Sequence, residues 1–310
     1  MSLIGFWLFH PLHIHTINLV TTLSSTVAFF LPLNGASAQD LYVANGNSNT
    51  ISKITTNGVV TTFASGLDSP AALAFDSAGN LFVANTGASG TIAKITPDGT
   101  VSTFASGFSA PEGLAFDASG NLFVADNNNF TISKITPSGT VTLFTSISDP
   151  WSLAFNASGD LFTSQFSYGT ISKITTNGTV SPFAAGLSYP QGLAFNSSGN
   201  LFAASYIIGN SVSEITTNGT VSTFAADLIN PAGLAFNSSG ELFVSSGYTN
   251  NFIYEIATNG TVSTFVTSDL LNGPSALAFG PASVPEPSSY ALFGLGGLAL
   301  IVAYRRRVLG

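Results

Sequence analysis

The chain has 310 residues, of which only 7% are charged, and its formal net charge is −8. Average globular chains carry roughly 25% charged residues. All three arginines lie at the extreme C-terminus, all three histidines lie near the N-terminus, and no cysteine occurs. The long middle region has lysine as its only base and cannot neutralise a row of phosphates, which argues against nucleic acid as a partner. The lack of cysteine excludes disulfides and thiolate metal sites.

Residues 1–38 have the features of a secretory signal peptide. An apolar run from Thr21 to Leu33 precedes Ala36-Ser37-Ala38, the small-x-small pattern that a signal peptidase cleaves. Cleavage there would make Gln39 the first residue of the mature chain. The segment before the apolar run lacks the usual Lys or Arg, so a buried N-terminal helix stays open as an alternative.

Residues 39–282 are filled by a repeat of about 40 residues, the spacing expected of stacked β-sheet units. Its Leu-Ala-Phe core begins at Leu73, Leu114, Leu153, Leu193, Leu234 and Leu277. Each repeat holds four short runs of β-branched or aromatic residues, here called strands A to D, such as 114–116, 122–125, 131–135 and 141–144. Asn-Gly, Asp-Gly or Ser-Gly pairs between C and D suit tight hairpins. The pattern predicts four-stranded antiparallel meanders without helices.

The two ends of the repeat region predict a closed ring. The first unit lacks strand A, whereas the final strand A, Leu277–Phe279, has no B, C or D after it. Pairing that strand with the first strand B, Leu41–Ala44, completes a sixth unit and leaves no exposed edge at the seam. We therefore predict an all-β fold, a six-bladed β-propeller.

The repeat resembles the NHL family, whose units have the similar phrases Pro-x-Gly-Leu-Ala-Phe-Asp and Gly-Asn-Leu-Phe-Val-Ala-Asp, seen here at 111–117 and 120–126. More loosely it resembles the six-bladed lactonase and lyase propellers, including streptogramin lyases. The resemblance implies the propeller fold and says little about chemistry. Those enzyme families commonly use a metal, a histidine base or both, and residues 39–282 contain no histidine.

Residues 283–310 combine three features in a fixed order. Val284-Pro285-Glu286-Pro287 comes first, then the uncharged segment Ser288–Tyr304, then Arg305-Arg306-Arg307. As a helix the uncharged segment would span about 25 Å, enough for a bilayer core, with the arginines cytoplasmic. The order resembles the PEP-CTERM sorting signal of exopolysaccharide-producing Gram-negative bacteria. That resemblance implies export, recognition by an exosortase, removal of the tail and delivery to the cell surface or extracellular matrix. An ordinary single-span anchor is the alternative.

The connections between strands lie on two opposite faces of the ring, because consecutive strands run in opposite directions. The A–B and C–D turns share the turn face and are nearly identical in every repeat, whereas the B–C and D–A loops share the loop face and vary. Variable loops on a rigid ring are typical of a binding surface. The predicted ligand-binding residues on the loop face are Glu112, Asp126, Trp151, Gln165, Phe166, Tyr168, Gln191 and Tyr206.

A hairpin register that pairs Phe116 with Leu122 would also place Glu112 opposite Asp126. Two facing carboxylates repel each other unless a cation or a shared proton lies between them. Calcium accepts oxygen ligands in irregular geometry, so the sequence suggests a calcium site at this pair. The alternative is two solvated side chains that point apart.

Three functions fit the sequence. The first is a non-catalytic binding or scaffold module at the cell surface, with a glycan such as exopolysaccharide, a peptide or a surface protein as ligand and with Trp151 stacking on a sugar ring. The second is a calcium-dependent propeller hydrolase or lyase. The third is a structural matrix element without a discrete ligand.

Overall fold

The computed structural model describes residues 39–281 except 207, 248 and 249. The predicted signal peptide and the sorting segment lie outside these residues. In the part of the chain that is described, no helix is long and apolar enough to cross a bilayer.

Twenty-four strands form six four-stranded antiparallel sheets, which confirms the predicted propeller. The first three blades are β24, β1, β2 and β3 (Pro274–Phe279, Leu41–Asn45, Thr50–Ile54, Val60–Ser65), β4 to β7 (Pro70–Phe75, Leu81–Asn85, Thr91–Ile95, Val101–Ser106), and β8 to β11 (Pro111–Phe116, Leu122–Asp126, Thr131–Ile135, Val141–Ser146). The other three are β12 to β15 (Pro150–Phe155, Leu161–Gln165, Thr170–Ile174, Val180–Ala185), β16 to β19 (Pro190–Phe195, Leu201–Ser205, Ser211–Ile215, Val221–Ala225), and β20 to β23 (Pro231–Phe236, Leu242–Ser246, Phe252–Ile256, Val262–Thr267).

The ring closes as the sequence predicted. The last strand, β24, pairs with the first strand, β1, so that Leu41 lies opposite Phe279 and Val43 lies opposite Leu277. The side chain of Gln39 also donates a hydrogen bond to the carbonyl oxygen of Gly280 over 2.9 Å. The closing blade is therefore built from both ends of the repeat region.

Aromatic side chains join each blade to the next. Phe82 of β5 packs edge-on against Phe104 of its own blade and against Phe116 of the following blade, with ring centroids 4.9 and 5.1 Å apart. The same three-ring contact is centred in the other blades on Tyr42, Phe123, Phe162, Phe202 and Phe243. Edge-to-face aromatic pairs contribute about 0.5–1.5 kcal/mol beyond their buried area. Six such contacts hold the ring together between blades.

The inner strands meet closely around the central axis. A Cβ atom on Gly113 of β8 would lie 2.2 Å from the carbonyl oxygen of Trp151 on β12. Glycine is thus required there so that adjacent inner strands can approach each other. This contact fixes the positions of the residues that surround the centre of the ring.

We expect the closing strand to be essential for folding. A chain ending at residue 273 lacks β24, so β1 loses its inner partner and Phe243 loses Phe279. This chain should show no cooperative thermal transition by circular dichroism, because an open ring exposes a sheet edge and an apolar blade face. A chain ending at residue 281 is the matched control and should melt cooperatively. Equal melting of the two chains would show that closure is dispensable.

Candidate functional site

The second to fourth residues of the inner strands surround a central cavity of about 150 Å³. At its mouth, next to the D–A loops, lies the residue that follows each repeat proline, namely Ala71, Glu112, Trp151, Gln191, Ala232 and Ser275. The ladder between strands A and B shifts register at this position in every blade. A β-bulge places an unpaired residue on one strand and re-aims its side chain, which explains why these six residues line the cavity.

The same bulge corrects the predicted pairing of Glu112 with Asp126. Phe116 does pair with Leu122, but Pro111 lies opposite Asp126, and Glu112 is the extra residue between Pro111 and Gly113. The regular offset assumed from sequence fails because proline has no N–H group to donate to the ladder and marks the irregular start of each strand A. The facing carboxylate pair that suggested calcium is therefore not formed.

Asp126 holds the neighbouring loops in place. The residue is 2% exposed. Its carboxylate accepts hydrogen bonds from the backbone N–H of Ser109 at 3.1 Å, from the backbone N–H of Ala110 at 2.9 Å and from the side-chain amide of Asn129 at 2.7 Å. Buried carboxylates with several such donors are structural elements in their own right. Both oxygens of Asp126 are thus occupied by the protein.

Gln165 has a similar role in the next blade. Its side-chain N–H donates to the carbonyl oxygen of Ser148 over 2.9 Å, and its oxygen accepts from the hydroxyls of Thr170 and Ser172 at 3.1 and 2.7 Å. The amide therefore ties strands B and C to the D–A loop. Gln165 is half-buried, and these hydrogen bonds engage its side-chain amide.

Glu112 differs from these residues because it has no protein partner. Within the described part of the chain its carboxylate makes no hydrogen bond or ion pair, and it lines the central cavity. Burial raises the pKa of Glu112 from 4.5 to about 7. Burial disfavours the charged form of a carboxyl group, so this side chain changes protonation near neutral pH.

Gln191 contributes a second unsatisfied acceptor to the same cavity wall. The residue is 6% exposed, and its Oε1 atom is buried without a hydrogen-bond partner in the described structure. Its backbone oxygen accepts a hydrogen bond from the Ser164 hydroxyl over 2.9 Å, so the main chain is well anchored. Leaving a buried acceptor unpaired costs about 1–3 kcal/mol, so an unpaired oxygen at this position calls for an explanation.

An aromatic cluster lies beside the mouth of the cavity. Trp151 stacks on Phe166 with ring centroids 4.6 Å apart and an interplanar angle of 25°. Phe166 also contacts Tyr189 at 5.2 Å and Tyr206 at 6.4 Å, and burial raises the pKa of Tyr206. Tyr168, 63% exposed, extends from the same B–C loop. Three predicted residues, Trp151, Phe166 and Tyr206, are thus brought together.

Tyr189 is a member of the cluster that sequence reasoning did not assign to the site. It precedes a repeat proline and has a φ of 47°, in the left-handed region. The equivalent residues Ser69, Asp149, Asn230 and Gly273 share that backbone conformation, which suits Gly, Asn and Asp but is strained for a bulky side chain. An aromatic residue at this turn position was the available signal, since strain of this kind concentrates at functional sites.

Comparison with known proteins gives two family matches. The virginiamycin B lyase family matches residues 21–209 and, in a second overlapping alignment, residues 69–284. The PEP-CTERM protein-sorting motif matches residues 283–307. A search of curated protein sequences gave no match.

Several solved structures share the fold. A streptogramin B lyase superposes with a TM-score of 0.62 and 18% identity, covering 81% of this chain and 90% of its own. A catalytically inactive virginiamycin B lyase from Staphylococcus aureus, a His-to-Ala variant with quinupristin, superposes with a TM-score of 0.61 and 19% identity. The match covers 80% of this chain and 94% of that chain. A gluconolactonase from Xanthomonas campestris superposes with a TM-score of 0.62 and 15% identity, and the match covers 78% of this chain and 88% of that chain. At these identities the similarity establishes the fold alone.

We expect Asp126 to act as a structural carboxylate. Asp126→Ala leaves the amides of Ser109, Ala110 and Asn129 without their acceptor, so it should lower the free energy of unfolding by about 2 kcal/mol. Asp126→Asn keeps an acceptor oxygen, as Asn85 does for the amide of Asp68 in another blade, and should restore much of the loss. Thermal melts with calcium or with a chelator measure both variants. A calcium-dependent change in the wild type that disappears in Asp126→Asn would contradict the structural role.

The raised pKa of Glu112 predicts a pH-dependent stability difference. The neutral carboxyl suits the cavity, so no penalty exists below pH 4.5, where the folded and unfolded states are both protonated. The penalty develops as the pH rises and is complete above about 7. Glu112→Gln should therefore melt at a higher temperature than the wild type at pH 8 and at the same temperature below pH 4.5. Parallel melting curves across this range would show that Glu112 titrates normally.

Proposed function

The chain belongs to the virginiamycin B lyase family, and we propose that it is an exported member that binds an extracellular glycan on its loop face without catalysing a reaction. The sorting motif at 283–307 implies export of a membrane-anchored precursor that an exosortase processes. Cell-surface or matrix delivery follows from that route, with signal peptidase acting at the other end of the chain.

The observation that supports glycan binding is the aromatic cluster beside the cavity mouth. Trp151 and Phe166 present a stacked pair of flat rings, and Tyr189 and Tyr206 extend it. Aromatic rings with polar edges suit sugar rings, which have apolar faces and hydroxyl rims.

A non-catalytic role agrees with the side chains that the sequence supplies. The virginiamycin B lyase structure with quinupristin is catalytically inactive after a His-to-Ala change, whereas the last histidine of this chain is His15, within the predicted signal peptide. The propeller therefore lacks the residue type whose loss inactivates that relative. The four lysines lie on strand C, and Lys53, Lys134 and Lys173 form ion pairs there with Asp40, Asp117 and Asp160.

A second candidate, a propeller hydrolase or lyase, is favoured by one observation besides the family match. Glu112 lies in the central cavity with a pKa of about 7, near the value at which a side chain can both accept and donate a proton at neutral pH. Ring opening of a streptogramin B or a lactone by the purified protein, abolished in Glu112→Gln, would establish this function. Calcium would then be tested as a cofactor by chelation.

Binding is tested with soluble oligosaccharides, including the β-1,4-linked N-acetylglucosamine hexamer, by isothermal titration calorimetry. Trp151→Ala should weaken the affinity about tenfold, because a ring-stacking contact is worth roughly 1–1.5 kcal/mol. Leu143→Ala is the matched control: its side chain is 65% exposed on the outer strand β11, and it should bind as the wild type does. The absence of binding to every sugar, or equal affinity of all three proteins, would refute the proposal.

A further inference from the structure

We propose that the central cavity is a binding site for a protonated primary amine, and that the glycan bound beside it therefore carries free amino sugars. This inference rests on the proposed function for its choice of a glycan. The cavity site itself rests on the two unsatisfied acceptors described above.

The cavity wall offers a carboxylate without offering a cation that could neutralise it. Glu112 supplies a carboxylate and Gln191 supplies a buried oxygen without a partner. The single hydroxyl hydrogen of Ser275 is shared by the carbonyl oxygens of Pro70 and Ala44, at 2.8 and 3.2 Å, so it does not serve either acceptor. Among the residues lining the cavity there is no Lys, Arg or His. A ligand that pairs with the ionised carboxylate of Glu112 has to bring positive charge and a hydrogen-bond donor.

A primary ammonium group has the required chemistry, because it carries one positive charge and three N–H donors. Hydrogen bonds to charged groups contribute more than neutral ones do. The volume of about 150 Å³ admits a small aminoalkyl or amino-sugar group rather than a whole oligosaccharide. Trp151 borders both the cavity and the aromatic cluster, so a sugar stacked on the cluster could place an amino substituent inside.

A divalent cation fits the same wall less well. Calcium takes six to eight oxygen ligands, commonly several carboxylates. The described residues contain no group of three or more acidic or histidine side chains placed to hold a metal ion, and the carboxylate of Asp126 is occupied by Ser109, Ala110 and Asn129. A single carboxylate matches the one positive charge of an ammonium group better.

The surroundings of Glu112 make its ionisation the step that controls binding. The cavity-lining residues of the two flanking inner strands are Ala71, Ala72 and Leu73 on β4 and Trp151, Ser152 and Leu153 on β12, none of them charged. Asp126 is the acidic residue on the neighbouring strand β9. Amine affinity should therefore rise as Glu112 loses its proton and reach a plateau above pH 8, while an alkylamine stays protonated throughout.

The first experiment uses n-propylamine and its neutral isostere propan-1-ol with the purified protein, followed by ligand-observed NMR at pH 8. We expect at least tenfold preference for the amine. Glu112→Gln should remove the preference and its pH dependence, whereas Glu255→Gln, which removes the same charge from β22, the third strand of its blade, should leave both unchanged. Equal binding of amine and alcohol by the wild type overturns the amine site.

A second variant separates ligand binding from folding. Gln191→Leu replaces the unpaired oxygen by an apolar group, so it should preserve or raise the melting temperature while lowering amine affinity several-fold. A fall in melting temperature without a change in affinity would show that Gln191 serves the fold and would overturn its role in the site.

The second experiment identifies the source of the amine. At pH 7, where about half of the Glu112 side chains are ionised, a glucosamine hexamer should bind several-fold more tightly than the N-acetylglucosamine hexamer, and only this preference should depend on Glu112. If both hexamers bind equally through Trp151, the proposed glycan function stands and the amine site fails. If neither binds, the proposed function fails. Tighter binding of a lysine oligomer than of the glucosamine hexamer would overturn the assignment to a glycan.

Discussion

The pairing of β24 with β1 is the contact on which the whole ring depends. It is the one place where strands from opposite ends of the repeat region share a sheet, and it brings Phe279 against Phe243 to complete the sixth inter-blade aromatic contact. Each blade is apolar on the faces that meet its neighbours, so no blade can be stable alone. Closure converts six marginal sheets into one body with a fixed central axis. The side chains around that axis, Glu112 and Gln191 included, are consequently held by backbone rather than by one another.

This separation of roles explains how polar groups can remain unpaired at the centre. The edge-to-face ring contacts and the buried aliphatic strands recur in every blade and supply the stability. The bulge residues, by contrast, pair with nothing in the ladder, so their identities can differ without weakening the sheets. One indole, one carboxyl and one amide therefore lie among smaller residues at the mouth. Leaving these groups unpaired costs about a few kcal/mol of stability, which is tolerable because every blade contributes the same stabilising contacts.

Much of the fold could be read from the repeat, and less of the site. Strand order and closure were predictable because the unpaired Leu277–Phe279 had one available partner, and the structure confirms it. The position of Glu112 could not be predicted in the same way. Strict alternation of side chains along a strand assumes that no bulge interrupts the pairing, and Pro111 is the only sign of the bulge in the sequence. Asp126 and Gln165 were polar and loop-adjacent, but the sequence could not show that their side chains hydrogen-bond to neighbouring strands and loops. The sequence predicted that Trp151 and Phe166 lie close together, because they belong to neighbouring strands of one blade. It did not predict that their rings stack.

The hydrogen bond between Gln39 and Gly280 shows where the chain enters and leaves the ring. Strand β1 begins, and strand β24 ends, at the same side of the closing blade, where Leu41 lies opposite Phe279. That side is the turn face, whereas Trp151 and Tyr189 belong to the opposite one. A precursor anchored in a bilayer through the segment after residue 281 would therefore be attached on the turn face, on the side of the ring opposite the aromatic cluster.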